Sequence, residues 1–278
     1  MGQCHTPGWG GLEPADVDQS PEDQWTYHAV SDIALSHGLL ASLPGVDADR
    51  IGITGISWGG YLTCISAGLD GRYKLAVPVY GCGFLGENSA WLADFKKMGE
   101  ARAARWLSMW DPSVYLPRAK MPMLWVTGTN DFAYPMDSLQ KSYRLPRGPR
   151  TLCITVRMPH GHGGPGENPP EILAFADAIL KPEVDRKISA LPTIFGQGTD
   201  AKTAWATFAG DAKVTRAELV YTCDTGEWPK REWKTSPAKV DEATKKITAD
   251  LPAGVKVSYI NMMTDTGLTV STEHTIRD

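Results

Sequence analysis

Apolar positions along the chain follow two regimes, one before and one after about residue 182. In the first, Trp25 to Leu43 carries Val30, Ile33, Ala34, Leu39 and Leu40 near helical spacing with no internal proline, and ends at Pro44-Gly45. This pattern predicts an amphipathic helix. A short β-branched run, Ile51 to Thr54, comes next. Lys74 to Tyr80, Pro122 to Thr127 and Thr151 to Arg157 are strand-length apolar runs without alternation, as expected for parallel strands buried on both faces. Glu87 to Met109, rich in Ala, Trp and Lys, predicts helices packed as a cap over one edge of that sheet. Asn168-Pro169-Pro170 supplies a helix start for Glu171 to Leu180.

Beyond Lys181-Pro182 the apolar residues alternate in short segments: Thr203 to Phe208, Ala217 to Thr222, Trp228 to Lys234, Val255 to Asn261 and Gly267 to Ser271. Turn signals such as Asp224-Thr225-Gly226 and Pro252-Ala253-Gly254 separate them, which predicts a small antiparallel β-sandwich. The chain therefore divides into an α/β domain over 1–183 and a β domain over 190–278, with the boundary near Pro182 to Leu191.

Composition narrows the partners. The net charge of -4 comes without a basic block, which argues against nucleic acid or an anionic membrane surface. No run of eighteen apolar residues occurs, and Met1-Gly2-Gln3-Cys4-His5 lacks the basic start and apolar stretch of a secretory signal, while the compartment stays open. The five cysteines are scattered and free of CxxC spacing, so neither a disulfide framework nor a zinc site is expected; Cys64 and Cys153 read as small core residues.

The chemistry concentrates at Gly55-Ile56-Ser57-Trp58-Gly59-Gly60, between the strand at Ile51 to Thr54 and a helical stretch from Tyr61 to Ala67. G-x-S-x-G alone is weak in a chain with 28 glycines, but strand, turn and helix in immediate succession make it a nucleophile elbow. A serine needs a histidine to accept its proton and a carboxylate to hold that histidine's tautomer. Asp131, after the third apolar run in Gly128-Thr129-Asn130-Asp131, is the best acid, whereas Asp137 reads as a helix charge. Two bases are available in Met158-Pro159-His160-Gly161-His162-Gly163-Gly164. His162 is preferred, because flanking glycines let the loop turn back over the sheet edge; His160, next to Pro159, is the alternative and otherwise braces the loop. The backbone N–H of Trp58, following the nucleophile, is the expected oxyanion donor. Acyl-enzyme chemistry of this kind needs no cofactor and no metal.

The stretches Asp49 to Tyr61, Gly128 to Asp131 and Met158 to His162 resemble the acetyl xylan esterase, dienelactone hydrolase and prolyl oligopeptidase-like group of α/β-hydrolases, over roughly Trp25 to Lys181. The resemblance implies Ser57 as nucleophile, Asp131 as acid and His162 or His160 as base. It favours deacylation of a sugar or other small ester. It also implies several strands ahead of the elbow and an oxyanion-hole loop after the third, whereas the residues before Trp25 are Gly-, Pro- and Asp-rich. The expectation is thus an N-terminally incomplete α/β-hydrolase sheet, with Pro7-Gly8-Trp9-Gly10-Gly11 a weak candidate for a substitute loop, and self-association through the open sheet edge.

Two other functions compete with the serine esterase. One is a peptidase of the prolyl oligopeptidase type, and the other a non-catalytic carbohydrate-binding or scaffold protein, suggested by ten tryptophans and the β-rich end. Trp91, Trp106 and Trp110 would stack on sugar rings in the latter, although their helical spacing also suits core packing.

Overall fold

Four parallel strands form the centre of the chain, in a computed structural model that describes residues 16–181 and 191–277. They are β1 (Ile53–Ile56), β2 (Ala76–Val79), β3 (Met123–Asn130) and β4 (Arg150–Pro159), hydrogen-bonded in that order. All of β2 and nearly all of β3 are buried, which is why those runs show no alternation. The outer strand β1 is different, with every residue at least partly exposed.

Helices flank this sheet: α1 (Trp25–Ser42), α2 (Trp58–Leu69), α3 (Leu92–Met98), α4 (Glu100–Trp110), α5 (Met136–Tyr143) and α6 (Pro170–Leu180). None of the described helices is long and apolar enough to cross a membrane. Helix α1 packs Trp25, Val30, Ile33 and Ala41 on the core, but Leu35 and Leu39, with Leu43 just past the helix end, form a second apolar stripe that stays exposed. The cap predicted between the second and third strands is α3 and α4. In it Trp91, Trp106 and Trp110 are buried among core residues, with Trp106 stacked on Tyr61 and the Trp110 Nε1–H donating to Gln24.

The C-terminal part contributes β5 (Thr193–Thr199), β6 (Thr203–Ala209), β7 (Val214–Thr222), β8 (Lys234–Asp241), β9 (Lys246–Asp250), β10 (Val257–Thr264), β11 (Thr269–Ser271) and β12 (Thr275–Ile276). Where a strand was expected over Trp228 to Lys234, the chain makes a 3-10 turn at Trp228–Lys230, and the Arg231 guanidinium lies over the Trp228 ring. The expected separate sandwich shares a sheet with the first half. Strand β11 pairs antiparallel with β4 through Ser271 and Leu152, and the order continues β11-β10-β7-β8. Strand β8 then passes from β7 to β9, its first half pairing one neighbour and its last residues the other. Pro237 sits in the half that pairs only with β7, an edge position of the kind where a proline is tolerated in a sheet. The boundary expected near Pro182 falls mostly outside the described residues, as does the Pro7 to Gly11 stretch.

Candidate active site

Ser57 stands between the end of β1 and the first turn of α2 with φ 58° and ψ −117°, a strained conformation for a residue with a side chain. Close approach of backbones enforces the turn. A Cβ on Gly55 would lie 2.3 Å from the Gly59 carbonyl oxygen, and one on Gly60 would lie 2.5 Å from that of Val79. Gly59 itself meets nothing, so two of the three glycines in the motif are required by contact. The Ser57 N–H donates to Val79 at 2.9 Å, tying the elbow to β2. Trp58 is the first residue of α2, so its N–H belongs to the turn that has no intrahelical acceptor.

Asp131 follows β3 and is buried. Its Oδ1 accepts the backbone N–H groups of Ala133 and Tyr134, each at 2.8 Å, which fixes the carboxylate and leaves Oδ2 facing the site. His160 follows β4 directly. Its Nδ1 lies 3.0 Å from Asp131 Oδ2 and its Nε2 lies 2.9 Å from Ser57 Oγ. With Nδ1 protonated toward the carboxylate, Nε2 is the acceptor for the serine proton. Tyr80, Phe132 and Tyr134 surround the imidazole, with ring centroids 5.0 to 5.9 Å from its own. Burial, then the charges of Glu167 and Asp131, pushes the Tyr80 hydroxyl up to about 12, so this wall stays neutral.

The geometry corrects the preference for His162. That side chain is half exposed, and its Nδ1 lies 3.2 Å from Glu167, which also accepts the Gly163 N–H at 2.7 Å. The reason is the register of β3 against β4. Gly128 pairs with Thr155 and Asn130 with Pro159, so β4 advances four residues while β3 advances two. The extra length is taken up around Arg157, with φ 57°, whose N–H donates to Thr129 and whose guanidinium donates to the Trp233 carbonyl. Once Asn130 faces Pro159, the next residues are Asp131 and His160, already side by side. No loop has to turn back. Asp137 stands in α5 with both carboxylate oxygens on the Asn88 amide, away from this chain of hydrogen bonds.

A cavity of about 520 Å³ opens beside Ser57 and His160. Trp58, Trp91, Phe132 and Ala133 line it, with Asp94 and His162 as further polar groups. Phe132 and Asp94 gave no signal in the sequence beyond lying in the loop after Asp131 and in the cap. Among the described residues no cluster of His, Cys, Asp or Glu is arranged to hold a metal ion. The four described cysteines are free thiols, and burial pushes those of Cys64, Cys82 and Cys153 upward.

A parallel sheet with a strained serine at a strand-to-helix elbow, an acid after a later strand and a histidine after the next defines the α/β-hydrolase fold. The sequence profile of the prolyl oligopeptidase family matches residues 17–178, more than half of the chain, and the chain belongs to that family. Among solved structures it is similar to an acetyl xylan esterase from Paenibacillus sp. R4, at 25% identity and a TM-score of 0.53 over 63% of this chain and 58% of that one. It is also similar to the acylaminoacyl peptidase of Pyrococcus horikoshii, at 22% identity and a TM-score of 0.50 over 59% of this chain and 29% of that one. The chain thus spans less than two thirds of either relative's length. No curated protein matches it.

Proposed function

We propose that the chain is a serine hydrolase that cleaves a carboxylic ester, with a small acylated sugar or similar acetyl ester as its substrate class. The observation that carries this reading is the unbroken relay from Ser57 Oγ to His160 Nε2 and from His160 Nδ1 to Asp131 Oδ2. Ser57 Oγ attacks the ester carbonyl carbon while its proton passes to His160 Nε2. The carbonyl oxygen becomes an oxyanion facing the Trp58 N–H. Collapse breaks the bond to the alcohol, which leaves with the proton from His160. Water then attacks the acyl-serine, gives a proton to His160, and the carboxylic acid departs as Ser57 regains its hydrogen. Asp131 keeps its charge throughout and holds the imidazole.

Similarity to an acetyl xylan esterase supports the ester. Membership of the prolyl oligopeptidase family supports a second reading, an amide or peptide bond as the scissile group, served by the same residues.

Turnover of p-nitrophenyl acetate beside an acyl p-nitroanilide separates the two, and a fluorophosphonate probe reports the nucleophile independently. Ser57→Ala is expected to abolish labelling and to lower turnover by at least about 10³-fold. His160→Ala should fall nearly as far, since members of such a relay act as a unit, while His162→Ala should lose about tenfold or less. A larger loss in His162→Ala than in His160→Ala would overturn the assignment of the base.

A further inference from the structure

The strand ends that carry Asp131 and His160 are both gripped by one segment of the C-terminal part, residues 228–233. Two indoles root that segment. Trp228 lies against His274 and the buried Trp233 against Tyr259 of β10, with ring centroids 5.9 and 6.0 Å apart. Three alternate carbonyls of the segment then serve as acceptors for β3 and β4. The Asn130 side-chain amide donates to Pro229 at 2.9 Å and to Arg231 at 3.0 Å, and the Arg157 guanidinium donates to Trp233 at 3.1 Å. Asn130 immediately precedes Asp131, and Arg157 stands in the extra length of β4 just ahead of His160.

Thr129 ties the two grips together. Its Oγ1 accepts the Arg157 N–H at 2.7 Å, and its own hydrogen goes to Asn130 Oδ1 at 2.8 Å. That contact fixes the orientation of the Asn130 amide, because only its nitrogen can donate to two carbonyls. Acid and base therefore share one hydrogen-bonded frame that neither strand makes alone. A relay of 2.9 and 3.0 Å contacts tolerates little drift, since a misplacement of about 1 Å caused from outside the chemistry costs on the order of 100-fold in rate. We infer that Thr129, Asn130 and the segment 228–233 form a clamp of positioning residues that holds Asp131 and His160 in register, so that turnover at Ser57 depends on the C-terminal part of the chain. The segment lies beyond residues 17–178, which match the family, and the inference rests on the acyl-enzyme reading of Ser57.

The test uses the full chain and counts its sites. It measures kcat and KM for p-nitrophenyl acetate per mole of serine labelled by the fluorophosphonate at completion, beside the rate of that labelling. Acylation and deacylation both use His160, so Asn130→Ala should lower kcat and the labelling rate together by about 10- to 100-fold, with KM little changed. Trp228→Ala should do the same from the other side of the contact, and the double variant should lose little more than either single one. Thr129→Val, which removes the hydroxyl, should fall in the same way, whereas Thr129→Ser should keep wild-type values. A variant that only folds less well shows fewer labelled sites at an unchanged kcat per site. That result for Asn130→Ala and Thr129→Val, or fully additive losses in the double variant, overturns the clamp while labelling of Ser57 leaves the acyl-enzyme reading standing. Absence of both turnover and labelling in the wild type overturns both.

Discussion

The two outer strands of the parallel sheet carry the two halves of the relay and are finished in opposite ways. Strand β4, which delivers His160, has its far side closed by β11 and a buried hydrogen-bonded knot. The Asn261 amide donates to the Ile154 carbonyl at 3.2 Å, Ser271 Oγ donates to Asn261, and the Ile154 N–H donates to Ser271 Oγ at 2.9 Å. Strand β1, which delivers Ser57, has no strand on its outer side among the described residues, and Ile56 is partly exposed there. Ser57 is therefore held mainly by its own turn and by β2, whereas His160 is held by a strand locked from both sides. Position is secured by backbone strain in one case and by long-range pairing in the other.

Breaking the closed side should have the largest effect. Asn261→Leu removes the donor to Ile154 and leaves the buried Ser271 O–H without its acceptor, at an expected cost of about 2–4 kcal/mol. A urea titration reads this as a lower midpoint at an unchanged slope. A shift below about 0.5 kcal/mol would mean that backbone pairing alone seals β4.

Acid should also loosen the closed side, through His274. This residue is buried between Tyr143 and Trp228 with neither ring nitrogen bonded, and burial, then the nearby Arg144 and Arg231, pulls its pKa down to about 3. Because the unfolded chain takes up a proton near pH 6.5 and the folded chain does not, stability is full above about pH 6.5 and declines as pH falls toward 3. The expected loss between pH 6.5 and 5 is about 2 kcal/mol. His274→Phe should flatten that part of the profile, and an unchanged slope in thermal melts across these pH values would remove His274 as its source.

The same contrast explains what could be read from the sequence. The inner parallel strands were legible because strands covered on both faces need no alternation, and Ser57 and Asp131 because each directly follows a strand-length run, Ser57 at a glycine-rich turn into a helix. The choice between His160 and His162 was not, since it depends on extra residues in β4 whose conformation is set by Thr129 and by the Trp233 carbonyl. Local glycines suggested a returning loop, and pairing made one unnecessary. The junction of β11 with β4 was equally hidden, because it uses three residues and a polar knot rather than an apolar run. Pro237 masked β8 until its one-sided pairing was visible.

The open side gives the smallest change in stability and the clearest change in association. Leu35 and Leu39 on α1, with Leu43 just past its end, recur every four residues and are exposed by 70%, 64% and 45%, and β1 has no strand on its outer side among the described residues. An exposed apolar stripe is a surface that other chains can cover, so we expect the 278-residue chain to self-associate there as concentration rises. Leu35→Gln combined with Leu39→Gln removes two side chains that already meet solvent, and should alter folding stability by no more than about 0.5 kcal/mol. It should nevertheless lower the mass seen by light scattering toward that of a single chain, because the contact it removes exists only between chains. Asn261→Leu should do the reverse, lowering the midpoint of unfolding without reducing scattering. If the glutamine pair left the scattering unchanged, the α1 stripe would not be the contact; if it unfolded the chain, the stripe would have to be covered from within.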